Sequence, residues 1–346
     1  MAVIVSPRAV AAEAPPPSRA GRDRTGRRID LALQGGGTHG AFTWGVLDRL
    51  LEEPDLGIVG ISGASAGAVN AVVAASGLAT GGREGARAAL AAFWRRVAAE
   101  ARRSPLSPTP LERLTGLAEA GLAAGHVWLE GVSRVASPYD LNPSGRNRLA
   151  DLLAESVDFA ALRREAPVRL FVSATNVRTG KLRIFGPDEI GPEAVLASAC
   201  LPQLFHAVEI DGEHYWDGGY AANPPVLPLV EGTDCGDVVI VQVDPVRIEE
   251  LPTTARAIRE RVQVLAFNAG FLREMQAVAA SGRVRLHLVE AEAEMARLGA
   301  ASKLDADGAF LERLFALGRE RAEGFLTAHG AAIGTRSSLD VAARFL

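Results

Sequence analysis

Two glycine-framed stretches about thirty residues apart constrain this chain more than any other feature: Gln34-Gly35-Gly36-Gly37-Thr38-His39-Gly40 and Ile61-Ser62-Gly63-Ala64-Ser65-Ala66-Gly67. Each closes a short apolar run and opens a helical pattern. Residues 29–34 (IDLALQ) read as a buried strand, after which residues 41–53 place Phe42, Val46, Leu47, Leu50 and Leu51 on one helical face. Residues 56–62 (LGIVGIS) read as a second buried strand, followed by an Ala/Val-rich helix over 66–76. Two successive strand-turn-helix units call for a parallel sheet covered by helices.

The alternation continues. Residues 86–136 carry a mainly helical pattern broken by Ser104-Pro105 and by Ser107-Pro108-Thr109-Pro110. Within it, Leu114, Leu117, Leu122, Val127, Trp128 and Leu129 read as a helical cap-like insertion; cap or core is the plainer reading of these leucines than a membrane contact. A helix restarts over 142–153. Residues 168–175 and 181–185 flank Arg178-Thr179-Gly180 as one hairpin, and 207–210 and 213–216 flank the Asp211-Gly212 turn as another. Residues 238–243 (VVIVQV) lack alternation and read as a strand buried on both faces. A long amphipathic helix over 254–280, a strand over 285–289 and a helix over 307–328 with Asp305 as its cap complete the pattern. The expected fold is therefore α/β: a single domain over 29–346 with a mainly parallel central sheet flanked by helices. Residues 1–28 hold Pro15-Pro16-Pro17 and Arg19, Arg22, Arg24, Arg27 and Arg28, a composition that cannot bury enough apolar surface to fold alone. They read as a disordered basic tail.

Composition removes several functions. With 48% apolar residues over 346 positions the chain can bury a full core, and its net charge of -4 argues against a nucleic-acid partner. Two cysteines, Cys200 and Cys235, make no disulfide framework, so a reducing, cytoplasmic setting is expected. No run reaches the roughly 18 to 20 apolar residues of a membrane span. The apolar start at Met1 ends at Ser6-Pro7-Arg8, short of a secretory h-region. Association with a membrane, if any, is expected to be peripheral.

The second glycine stretch reads G-x-S-x-G, the turn that lifts a serine hydroxyl off a strand end, here Ser65 framed by Gly63 and Gly67. The first places three glycines where unpaired backbone N–H groups can face an anion. A serine at neutral pH needs a base, and none of the six histidines has a persuasive setting. His287 sits inside a strand pattern, His329 at a helix end, and His126, His206 and His214 occur singly. The remaining candidate is Asp217 in Tyr215-Trp216-Asp217-Gly218-Gly219-Tyr220, at the end of the second hairpin. The few histidines and cysteines show no metal-ligand spacing, and no cofactor is implied. Two other readings remain beside the hydrolase. Gly35-x-Gly37-x-x-Gly40 also satisfies the dinucleotide fingerprint, but the next strand ends in Ser62-Gly63-Ala64-Ser65 without the acid that would bind ribose. A non-catalytic lipid-binding or scaffolding protein on the same fold is the other.

In this order the three motifs resemble the patatin-like phospholipases, lipid acyl hydrolases with a Ser-Asp dyad, over roughly residues 29–230. Gly35-Gly36-Gly37-Thr38-His39-Gly40 looks like the family's oxyanion loop. Gly63-Ala64-Ser65-Ala66-Gly67 looks like its nucleophile elbow, and Asp217-Gly218-Gly219 like its base motif. Ala197-Ser198-Ala199-Cys200-Leu201-Pro202 is similar to a further block, taken as structural. Many members carry Arg or Lys where this chain has His39, so a fixed loop charge is not carried over. The resemblance implies hydrolysis of a lipid or other ester through an acyl-enzyme on Ser65, with Asp217 as base and the loop N–H groups, those of Gly36 and Gly37 first, on the oxyanion.

Overall fold

An eight-stranded sheet organises the chain, whose computed structural model describes residues 26–103 and 136–345. In chain order, β1 (Arg27–Leu33) leads through the glycine loop to α1 (Gly40–Leu51), and β2 (Leu56–Gly63) leads through Ser65 to α2 (Ala66–Arg103). Three short helices follow, α3 (Pro138–Leu141), α4 (Arg148–Ser156) and α5 (Phe159–Glu165). The hairpin β3 (Arg169–Asn176) and β4 (Leu182–Phe185) precedes α6 (Pro192–Ser198), and the hairpin β5 (Val208–Ile210) and β6 (Glu213–Asp217) precedes α7 (Leu227–Gly232). Then come β7 (Asp237–Val241), α8 (Ala255–Ser281), β8 (Arg285–Val289), α9 (Glu292–Ala296), α10 (Gly308–His329) and α11 (Val341–Phe345).

Strands β3, β2, β1, β7 and β8 run parallel in that spatial order, and the antiparallel strands β4, β5 and β6 gather at the β3 end. The central strands are apolar on both sides because both sides are covered. Ile29, Leu31 and Leu33 of β1 and Val239 and Val241 of β7 join the core beneath α1, α2 and α10. The alternate residues Ala32, Val238 and Ile240 join a second core, with Phe271, Met275 and Val278 of α8 and Val341 and Phe345 of α11. Helix, sheet and helix thus form three layers.

The register around β3 prepares the site. Val172 pairs with Gly63 on one edge and with Phe185 on the other, whereas Ala174 pairs with Arg183 and with Asp217. A strand has two edges, so β6 must continue along the edge that β2 leaves when the chain turns away at Ser65. Asp217 occupies the place in the sheet that the elbow vacates.

Several element bounds differ from the sequence expectation. β1 begins at Arg27, before the expected start at 29, because its two arginines find partners: Arg27 Nη1 donates to Gly330 O at 3.0 Å and Arg28 pairs with Asp234 at 2.6 Å. Helix α2 runs on to Arg103, with a break at Gly81 and Gly82. The helix expected from 142 begins only at Arg148, where Asn147 Oδ1 accepts the Leu149 N–H at 3.0 Å; Asn142 closes α3 instead. The cap of α10 is Asp307, which accepts the Ala309 N–H at 3.0 Å, whereas Asp305 accepts from Asp307 itself. The cap-like insertion and His126 fall in 104–135, and most of the basic tail in 1–25; both lie outside the described residues. Among the described residues no helix is long and apolar enough to cross a membrane.

Candidate active site

Ser65 stands at the end of β2 in a conformation that side chains rarely adopt, with φ 52°. The strain is held from several directions. Ala64 N–H donates to Leu33 O at 3.3 Å, Gly67 N–H to Ala64 O at 2.8 Å and Ser65 N–H to Ser198 Oγ at 2.9 Å. Gly67 lies so near β1 that a Cβ there would run into the Leu33 carbonyl. The result is a partly exposed hydroxyl at the start of a long helix, whose dipole favours negative charge.

Asp217 is fully buried beside it. Its backbone is fixed on both sides: the N–H donates to Cys200 O at 2.8 Å, and the carbonyl accepts from Thr175 Oγ1 at 2.8 Å. Oδ1 accepts the Gly219 N–H at 2.7 Å, which uses the turn glycine as a backbone donor. Oδ2 is buried and has no partner in hydrogen-bond geometry among the described residues. The Ser65 hydroxyl faces the carboxyl closely enough to pull its pKa down, short of a formed hydrogen bond. Burial outweighs that pull, and those of the Gly219 N–H and Lys303, and pushes the Asp217 carboxyl up to about 7. A carboxylate with one idle oxygen and a pKa near neutrality is suited to accept a proton and return it.

The glycine loop packs directly on the elbow: a Cβ on Gly35 would come within 2.7 Å of both Ser65 Cβ and Ala64 O. The Gly35 N–H itself is not free, because it donates to Asn223 Oδ1 at 2.7 Å. This leaves the N–H groups of Gly36, Gly37 and Thr38 as the loop's candidate anion donors and makes Gly35 a packing residue. Gln34 anchors the base of the loop. Its side chain donates to Asn223 O and Asn268 Oδ1 and accepts from the N–H groups of Val243 and Asp244 at 2.6 Å. His39 is buried, bonded through Nε2 to Ser302 Oγ at 2.7 Å, and tilted against Phe310. Burial, then the charge of Lys303, pushes it down to about 4, so it is neutral.

Ser65, Asp217, Gly218, Gly219 and the glycine loop are therefore brought together, and Gly63 and Gly67 frame the turn between them. Ser62 donates its hydroxyl to Pro225 O. The other described histidines lie elsewhere. His287 is buried between Asp237 and Ser338, His206 stacks on Tyr139, His214 lies 3.8 Å from Glu209, and His329 ends α10. Sequence reasoning missed the supports. Ser198 lies in the block expected to be structural, and Asn223 lies just past the base motif, outside every motif read from the sequence. Asp244, Ser302 and Lys303 stand in no motif and carry no sequence signal. Among the described residues no group of three acidic, histidine or cysteine side chains could hold a metal ion.

The sequence profile described as patatin-like phospholipase matches residues 31–230, more than half of the chain. No curated protein matches it. Among solved structures it is similar to VipD from Legionella pneumophila, at 14% identity and a TM-score of 0.45, over 88% of this chain and 67% of that one. It is also similar to the ExoU-SpcU heterodimeric complex from the type III secretion system of Pseudomonas aeruginosa, at 19% identity and a TM-score of 0.38, over 88% of this chain. The chain spans about half of that relative's length, 53%.

Proposed function

This chain belongs to the patatin-like phospholipase family of lipid hydrolases, and on that premise we propose that it cleaves carboxylic esters of lipids through an acyl-enzyme on Ser65, with Asp217 as general base. The observation that carries the reading is the fully buried Asp217 carboxyl, its Oδ2 without a partner among the described residues, close enough to feel the hydroxyl of a serine held at positive φ.

In the first half-reaction Ser65 Oγ attacks the ester carbonyl carbon and its proton passes to Asp217 Oδ2. The carbonyl oxygen, now negative, accepts from the N–H groups of Gly36, Gly37 and Thr38. Collapse breaks the bond to the alcohol, which leaves with the proton from Asp217. In the second half-reaction water attacks the acyl carbon and gives its proton to Asp217. The Ser65 oxygen then departs, recovers that proton, and the carboxylic acid is released. Both half-reactions need the carboxylate ionised at the start. The rate should therefore fall as pH drops through about 7, the value to which burial raises Asp217.

The domain we assign to this activity runs from β1, which opens at Arg27, to residue 346, preceded by the basic segment 1–26. Its setting is cytoplasmic, with substrate drawn from dispersed lipid or from a membrane surface that it meets peripherally. The test is covalent. A fluorophosphonate probe should label the wild-type protein on Ser65, and Ser65→Ala with native circular dichroism should neither label nor turn over an ester series. Turnover in that variant near the wild-type rate would remove Ser65 from the reaction.

A further inference from the structure

The turn Ala300–Leu304 is clamped onto the glycine loop although nearly the whole fold separates them in sequence. Thr38 Oγ1 donates to Ser302 O at 2.9 Å, and His39 Nε2 meets Ser302 Oγ at 2.7 Å. Gly37 sits so close to the Lys303 carbonyl that a Cβ there would collide with it. These contacts fix where the Lys303 side chain begins. Its far end is fixed too, because Nζ lies 2.5 Å from Asp244 Oδ1. Asp244 is itself buried just after β7, and its N–H donates to the Gln34 side chain that anchors the loop. One ammonium group is thus held at both ends beside the candidate site.

Such a pair would be purely structural if no third group felt it. The groups that act on Asp217 are the Gly219 N–H, Ser65 from the elbow, Lys303 from the turn and Asp244 after β7, and Asp217 in turn acts on Cys200 after α6 and on Tyr220 after β6. Burial pushes the Cys200 thiol up to about 12 and raises the Tyr220 phenol, so both are neutral over the working range. His39 is neutral because of burial first and Lys303 second. Among these groups Lys303 is the cation and Asp244 the anion.

We propose that Lys303 is a positioning residue for the Ser65–Asp217 reaction, its ammonium supplying the fixed positive field beside the glycine loop that neutral His39 does not supply, with Asp244 as the brace and counter-charge. The proposal rests on the reading of Asp217 as the base. A field of this sign favours the ionised form of Asp217, which takes the Ser65 proton, against the burial that opposes it, and also favours the oxyanion that follows. Asp244 opposes it, so the pair trims in opposite directions a value that burial sets. Lys303 touches neither reacting atom in this account and acts through Asp217.

Opposite substitutions should therefore move the same titration in opposite directions. The measurement is kcat/KM against pH for p-nitrophenyl butyrate, an uncharged ester, so that substrate charge does not enter. Lys303→Met removes the attraction and should move the acid limb upward by about half a pH unit or more. Lys303→Arg should return it towards the wild-type position, because the charge is restored. Asp244→Asn removes the repulsion and should move the limb downward. A purely structural pair would lower the rate in both variants without separating their limbs. Limbs that stay at the wild-type position, or shift in the same direction in both variants, would overturn the proposal. Should Lys303→Met lose its native circular dichroism, Lys303→Gln and Asp244→Asn carry the same test. Wild-type hydrolysis that survives Ser65→Ala, or an unchanged limb in Asp217→Asn, would instead overturn the base assignment and the role of Lys303 with it.

Discussion

Asp217 and Asp237 are both buried aspartates at strand ends, and their surroundings are opposite. Asp237 opens β7 at the end of the parallel strands away from Ser65. It accepts from Arg285 at 2.9 and 2.7 Å, from the Gly334 N–H at 2.9 Å, and bonds His287 Nε2 at 3.0 Å, while His287 Nδ1 meets Ser338 Oγ at 2.9 Å. Aspartate, histidine and serine in a row have the outline of a catalytic triad. Yet His287 is 0% exposed, and both Asp237 oxygens are engaged. Burial alone would raise the Asp237 carboxyl, but the bonds from Arg285, Gly334 and His287 hold it below its ordinary value. Among the described residues Asp217 has no arginine partner and one idle oxygen, and burial carries it up to about 7. A satisfied carboxylate stabilises the fold, and an unsatisfied one beside a strained serine is available for chemistry. A row of suitable residue types does not by itself make a site.

The largest effect should come from exchanging the two. Asp217→Asn keeps the shape of the group but removes the proton acceptor, and should lower kcat by about 10²- to 10⁴-fold. His287→Ala, assayed per folded molecule by fluorophosphonate titration, should retain most turnover. A dead His287→Ala beside an active Asp217→Asn would reverse the comparison. Next, Gly36→Ala introduces a Cβ 2.8 Å from Val243 Cγ1 and displaces a loop donor. The loss of one oxyanion donor corresponds to about 10²- to 10³-fold in kcat, with KM changed far less. An unchanged kcat would take the loop out of the reaction.

Stability against pH separates the same two aspartates, read from urea midpoints. The Asp217 carboxyl binds its proton more tightly when folded, so its contribution is present at low pH and is lost as pH rises from about 4 to about 7. Above that range Asp217→Asn should unfold at a higher midpoint than wild type, with the gap closing in acid. Asp237, whose folded pKa is lowered, contributes at neutral pH and loses that contribution as pH falls below the ordinary carboxylate range. Asp237→Asn should therefore be less stable at neutral pH, by about 1.5–3 kcal/mol for hydrogen bonds to a charged group, with the deficit shrinking in acid. Parallel curves for the two variants would break the contrast. The smallest effect is expected at His39. Its ring is neutral, and the donors assigned to the oxyanion are main-chain, so His39→Ala should cost less than about tenfold in kcat, the scale of one hydrogen bond.

The local grammar of this protein was legible in its residues. The apolar runs ahead of both glycine stretches gave β1 and β2, Asp211-Gly212 gave the hairpin that ends at Asp217, and the lack of alternation in VVIVQV gave β7 between two helical layers. These depend on interactions between neighbours in sequence, so periodicity and turn chemistry suffice. The serine, the aspartate and the glycine loop were recognisable for the same reason, each standing in a short motif of its own. How they are held was decided by tertiary structure. Ser198 fixes the Ser65 N–H from 133 residues away, and Asn223 takes the Gly35 N–H from 188 residues away. Lys303 reaches the loop only because the turn that carries it folds back on Thr38 and His39. No period or spacing records such contacts, because each depends on where two distant segments meet. The raised pKa of Asp217 belongs with them: it is set by the water excluded around the carboxyl, which only the packed chain determines.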